Sequence, residues 1–235
     1  MTEEKKKSVR LTERDLSIMI WINSHRVVTV EQLRRRFGMS LLAAKKRLYE
    51  LRTAEYLVYE KVFQNKLGVY RVAPKGIAVT NDEFSTCKIR LGSYDHDLAL
   101  VDLAIALEQR ENAIWITDRQ IRHENGLKGV GVKGHSPDGI LKLKTGEKIA
   151  VELELSMKGT NRLEKILKEY NSGQYKEVWY FVKSEAIATK ILSGVGSLIR
   201  VFLLPDMREF KANASTVSQI NKVEEQKAKD FFRRK

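Results

Sequence analysis

Three carboxylates in the second half of the chain, Asp138, Glu152 and Glu154, have the residue types and spacing that point most directly to chemistry. In the run Val151-Glu152-Leu153-Glu154 the two glutamates are two residues apart, so a strand there puts both on one face. If Asp138 joins them, three negative charges repel unless a cation intervenes, and their convergence favours Mg2+ or Mn2+. The bland alternative is a half-exposed strand with its glutamates facing water, with Asp138-Gly139 only a turn. His135, beside the aspartate, reads as a surface or hydrogen-bonding histidine.

A second concentration of functional groups lies upstream. The net charge is +13, and residues 1–90 hold 19 Lys and Arg against 10 Asp and Glu, a net of +9. Such an excess draws phosphate through counterion release, which makes nucleic acid the default partner. A solvated basic face or attraction to an anionic membrane is the alternative. The single cysteine, Cys87, excludes an internal disulfide framework and a cysteine-clustered zinc site. No apolar run approaches the ~18 residues of a membrane span, and no apolar stretch follows the first lysines as in a secretory signal. The expectation is a cytoplasmic protein with no membrane partner.

The elements that must position these groups read as follows. Thr12 caps a helix with Asp15 three residues on, and Leu16, Met19, Ile20 and Asn23 follow at helical spacing. Thr29 starts a short second helix with Val30, Leu33 and Phe37 inward, ended by Gly38. Ser40 caps a third helix whose inward stripe is Leu41, Ala44, Leu48 and Leu51. Two strand-like runs, EYLVYEKVF and GVYRV, then form a hairpin closed near Gly68, and Pro74 and Gly76 end the unit. This order, over residues 11–80, resembles the winged helix-turn-helix superfamily.

What that resemblance implies is a third helix in the major groove of double-stranded DNA, its outward N-terminal residues facing base edges. The outward candidates are Ser40, Leu42, Ala43, Lys46 and Arg47, with Arg47 forking onto guanine and Leu42 or Ala43 meeting a thymine methyl. Arg34, Arg35 and Arg36 of the second helix, with Lys45 and Arg52, are the phosphate-holding candidates. Lys61 and Lys66 are placed for the wing to touch the backbone or minor groove. Use of the winged helix for protein contact is the alternative.

From residue 95 the pattern becomes mixed α/β, in the order α-β-β-β-α-β-α-β, with AIWITDRQI as the first strand. This order resembles the restriction-endonuclease-like, or PD-(D/E)XK, fold, on the residues Ser136-Pro137-Asp138-Gly139 and Val151-Glu152-Leu153-Glu154. The resemblance implies a divalent metal held by Asp138, Glu152 and Glu154, which lowers the pKa of a bound water and stabilises the leaving oxygen. A lysine usually follows the second carboxylate by two residues; here that position is Glu154. Lys158 and Lys165 are the nearest replacements, and Asp97, Asp102 and Glu108 on the preceding helix are the candidates for a further carboxylate.

The joint arrangement, a winged helix, then a helix opening YDHDLALVDLAIALE, then the PDG and VELEL strands, resembles the replication-relaxation family over roughly residues 12–205. The expected fold class is α+β, an N-terminal winged helix-turn-helix followed by an α/β restriction-endonuclease-like domain. The expected organisation is a disordered basic arm (1–10), a DNA-binding domain (11–80), a linker (81–93), the α/β domain (94–210) and a charged tail (211–235). The resemblance implies a DNA-binding accessory protein of plasmid or mobile-element replication, mobilisation or DNA processing, with other replication or relaxosome proteins, or a second copy, as partners. A metal-dependent nuclease or nickase using Asp138, Glu152, Glu154 and Lys158, and a winged-helix transcriptional repressor, remain as alternatives. The glutamate at 154 weighs against catalysis.

Overall fold

The computed structural model describes residues 9–127, 135–157, 159–170, 174–193 and 198–204. The fold is α+β, with helices and two separate sheets. The chain divides into two compact units, and the division falls between Val101 and Asp102, inside one continuous helix. The 81–93 stretch belongs to the first unit, where Asn23 Nδ2 donates to Asp82 at 2.8 Å and to the Phe84 carbonyl at 3.1 Å. The 211–235 tail and most of the 1–10 arm lie outside the described residues.

The first unit begins with α1 (Glu13–Ser24), whose capping box joins Thr12 and Asp15 reciprocally. A two-residue strand β1 (Val28–Thr29) leads directly into α2 (Val30–Arg36), again through a capping box, between Thr29 and Gln32. Gly38 takes a φ of 61°, the left-handed conformation that glycine adopts without a Cβ clash, and so turns the chain into α3 (Leu41–Thr53). Strands β2 (Leu57–Glu60) and β3 (Val69–Val72) follow, and the antiparallel sheet has the order β1-β3-β2. Leu16, Met19, Ile22, Leu33, Leu48, Leu51 and Val69 form the dry interior between these elements.

Two expectations change here. Pro74 does not end the unit but opens α4 (Pro74–Thr80), because proline at a first helical position loses no hydrogen bond. Leu41 is not part of the inward stripe; it is exposed at the start of α3, where the helix has not yet reached the core.

The joining helix is α5 (Tyr94–Glu111), preceded by a single 3-10 turn at Leu91–Ser93. The second unit continues with β4 (Ile114–Thr117), α6 (Asp118–Leu127), β5 (Gly139–Lys142), β6 (Lys148–Glu154), α7 (Thr160–Tyr170), β7 (Glu177–Val182), α8 (Glu185–Leu192) and β8 (Ile199–Leu203). The sheet order is β4-β5-β6-β7-β8, antiparallel up to β6 and parallel from there to β8. The expected strand at 113–121 stops at Thr117. The Thr117 amide donates to Gln120 Oε1 at 2.8 Å and the Gln120 amide to Thr117 Oγ1 at 3.3 Å, a capping arrangement that starts α6.

Side-chain alternation along β6 sorts its residues between two faces. Ala150, Glu152 and Glu154 share the face on which Val178, Tyr180 and Val182 of β7 pack with Leu163, Ile166, Leu167 and Tyr170 of α7. Gly139 is the first residue of β5, not a turn residue, and pairs with both Thr117 and Val151. A Cβ at Gly139 would strike the Trp115 ring, so glycine is required for the indole to lie across the strand.

Candidate nucleic-acid interface and carboxylate cluster

Helix α3 exists because Ser40 accepts the Ala43 amide at 3.2 Å and because Ala44, Leu48 and Leu51 recur at core-facing spacing. Its opposite face carries Leu42, Lys45, Lys46, Tyr49 and Arg52, all exposed. Leu42 is 78% exposed and Tyr49 64%, unusual for large side chains that could have joined the core. Ser40 and Ala43 are exposed at the N-terminal end of the same helix. Tyr49 is absent from the sequence-derived candidates; its spacing of seven from Leu42 was the available signal.

Arg47 is a correction. Its Nε donates to Asp15 Oδ1 at 2.6 Å, a second nitrogen meets Asp15 Oδ2, Nη1 reaches Glu50 at 2.7 Å and Nη2 the Arg10 carbonyl at 3.0 Å. The guanidinium therefore ties α3 to the start of α1 and does not point outward to a base. Burial pushes the Asp15 carboxyl up, but the Arg47 fork and Thr12 outweigh it and hold Asp15 below its usual value. The Asp15 hydrogen bond in turn raises Arg47, which stays charged.

The phosphate candidates also separate. Arg36 is buried, so it cannot meet a phosphate as placed; its guanidinium lies 5.4 Å from the Phe37 ring centre. Arg34 pairs with Glu31 at 2.5 Å, whereas Arg35 is exposed. Arg52 is exposed, with its guanidinium 5.5 Å from the Tyr59 ring centre. On the wing, Lys61 is exposed, but Lys66 is drawn back onto Asp95.

In the second unit, Glu152 is 1% exposed and not solvated. Its Oε1 accepts the Tyr170 hydroxyl and lies 2.5 Å from His135 Nε2. Burial, with the nearby Asp138 charge, pushes the Glu152 carboxyl up, while His135 and Tyr170 oppose the shift. Asp138 accepts the Leu153 amide at 2.9 Å, fixing the β5 end against β6. Glu154 is buried on the same face as Glu152. Burial and the charges of Glu152, Glu154 and Asp138 together raise the Tyr180 phenol well above its ordinary range.

The alternation therefore did put the two glutamates on one face, but under α7 instead of in water. Among the described residues, no three His, Cys, Asp or Glu side chains gather as a metal-binding group. As placed, Asp138 turns to the Leu153 amide, and Glu152 Oε1 to the Tyr170 phenol and the His135 imidazole. Lys158 lies outside the described residues, and Lys165 is exposed on α7. Of the other carboxylates, Asp97 is held by Arg90 and Ser93, Asp102 is exposed, and Glu108 accepts the Trp115 amide.

The family model for replication-relaxation matches residues 19–180, well over half of the chain. The chain belongs to the replication-relaxation family. No curated protein and no solved structure matches it. The matched span runs from the middle of α1 to β7, so both the α3 surface and the Glu152 cluster of this replication-relaxation protein lie within it. Membership points to a role in replication or relaxation of plasmid or mobile-element DNA. Among the described residues of this replication-relaxation protein, no helix is long and apolar enough to cross a membrane.

Proposed function

We propose that this chain is a sequence-specific double-stranded DNA-binding accessory protein of plasmid or mobile-element replication, mobilisation or DNA processing. The observation that carries the reading is the outward stripe of α3, where Lys45, Lys46 and Arg52 alternate with exposed Leu42 and Tyr49. Cations alone would serve any polyanion; large exposed apolar groups among them suit contact with base edges and thymine methyls. The helix follows a glycine turn and precedes a hairpin, the order of a winged helix-turn-helix. Leu42, Ala43, Lys46 and Tyr49 read bases, and Arg35, Lys45, Arg52 and Lys61 hold phosphates.

The second unit acts as a non-catalytic scaffold for other replication or relaxosome proteins. Asp138 and Glu152 each accept from a neighbouring donor, and position 154 is glutamate where the nuclease pattern has lysine. No Mg2+ or Mn2+ enters this reading.

The test is a gel assay on supercoiled plasmid with Mg2+, with Mn2+ and with a chelator, using the wild type, Lys46→Ala and Asp138→Ala. Retarded, uncut plasmid under every condition, weakened by Lys46→Ala, is the expected result. Nicked or linear product that needs both metal and Asp138 would make the protein a nuclease. A footprint of two half-sites one helical turn apart would add a two-fold dimer to the reading.

A further inference from the structure

Strand register in the second sheet lines up three lysines at the other end of β6 from Glu154. Lys142 of β5 and Lys148 of β6 are direct cross-strand partners. Just ahead of β7, the Lys176 amide donates to the Lys148 carbonyl at 2.9 Å. The three therefore stand on neighbouring strands, ~4.8 Å from one strand to the next, and all three are exposed. Ile114, the partner of Lys142 on β4, brings no charge to the row. The turn between β5 and β6, closed by the Gly146 amide on the Leu143 carbonyl at 3.0 Å, adds exposed Lys144. Glu147 pairs with Lys176 at 2.9 Å; among the described residues no carboxylate pairs with Lys142, Lys144 or Lys148. Like charges directly opposite one another in a sheet are destabilising. The row thus carries a cost that an anion laid along it removes.

We propose that this lysine row is a second DNA-binding surface, which holds the phosphate backbone of a strand without reading its sequence. It lies on the second unit and depends on neither α3 nor the wing. A DNA strand supplies one phosphate per ~3.4 Å of helix axis, so a row roughly 10 Å long faces about three of them. Lysine ammoniums are compact point charges on flexible stems; they suit phosphate and lack the planar fork that fixes on a base edge. A bilayer is a poorer match, since Ile114, 43% exposed, is the one large exposed apolar side chain beside the row among the described residues. Glu147 competes with the ligand: its carboxylate occupies Lys176, and a phosphate displaces it.

The experiment compares a duplex selected by the wild type out of a randomised pool with a random duplex, each titrated at several salt concentrations. For the full chain carrying Lys142→Gln and Lys148→Gln, the slope of log affinity against log salt is expected to fall by about two on both duplexes. The ratio of the two affinities should stay unchanged, because the row reads no bases. Urea unfolding of this variant should occur at the wild-type midpoint or above it, since the opposed charges are gone. Glu147→Ala frees Lys176 and should act in the opposite direction, with a slope about one unit steeper. An unchanged slope in the double variant, or in Glu147→Ala, overturns the proposal. So does a double variant that loses binding to phosphatidylserine vesicles but keeps full binding to DNA. Failure of the α3 reading shows elsewhere, as a wild type without sequence preference or a preference that survives Lys46→Ala and Tyr49→Ala.

Discussion

Arg47 and Asp15 form a two-pronged ion pair between α3 and the first turn of α1, with Asp15 completely buried. The same aspartate serves the capping box with Thr12, so one carboxylate ends one helix and anchors another. Breaking such a pair leaves a buried charge without its partner, which costs far more than the pair contributes net. Arg47→Ala is expected to lower stability by roughly 3 kcal/mol, read by urea unfolding. Asp15→Asn should cost less, and a double-mutant cycle should show strong coupling between the positions. If Arg47→Ala leaves the unfolding midpoint unchanged but removes sequence preference, Arg47 is a base-reading residue after all.

His25 gives the first unit an acid limit. Burial, with the Arg36 and Arg26 charges, lowers the ring from its ordinary 6.5 to about 3. Between those values the unfolded chain binds a proton that the folded one refuses. Stability is therefore full above pH 6.5 and declines as pH falls towards 3, by up to about 1.4 kcal/mol per pH unit. Asp15, depressed in the fold, adds a further loss below its ordinary value of 3.8. Unfolding curves from pH 7 to pH 4 should show a slope that His25→Phe removes.

Helix α3 and helix α2 should respond differently to charge removal. Lys46→Ala is expected to cost about 1–3 kcal/mol on the selected site and to relax its sequence preference. Arg35→Ala should weaken binding to all DNA and reduce the slope of log affinity against log salt by about one. Equal behaviour of the two variants across specific and random duplexes would contradict the division of labour.

Releasing Lys66 should have the opposite sign. Asp95→Ala frees an ammonium at the wing, and the expected result is tighter non-specific binding with a salt slope about one unit steeper. Titration of a random duplex at several salt concentrations reads both quantities. A slope that does not change would mean that Lys66 stays turned away from the DNA without its partner.

Glu152 carries a folded-state cost above its ordinary pKa. Its carboxyl is raised by burial, so the favourable contribution present at low pH is lost as pH rises through the folded value. Glu152→Gln should therefore equal or exceed the wild type in stability at pH 8, since the amide keeps a hydrogen-bonding group without the buried charge. Tyr170→Phe should instead cost about 1–3 kcal/mol, because it removes a donor from a buried carboxylate. Thermal unfolding of the two variants checks the contrast.

Periodicity and capping alone carried much of the reading. Thr12 with Asp15, the Ala44-Leu48-Leu51 spacing, Gly38 and the two runs around Gly68 act over a few residues, so helix, turn, helix and hairpin were legible without coordinates. The same local rules put Glu152 and Glu154 on one face of a strand. Local signals were also missed where they were short: Thr117 with Gln120 ends a strand, and Pro74 begins a helix.

What remained hidden was the partner of each charged side chain, because a partner far along the chain leaves no mark on local spacing. Arg47 looked outward by its place on the helix until Asp15, 32 residues away, proved to hold it. Lys66 is taken by Asp95, 29 residues on, and Glu152 by His135 and Tyr170 from opposite directions along the chain. Residue type and period determine which groups share a face. Only packing decides whether that face meets water or another element, since desolvation and pairing are properties of the assembled interior.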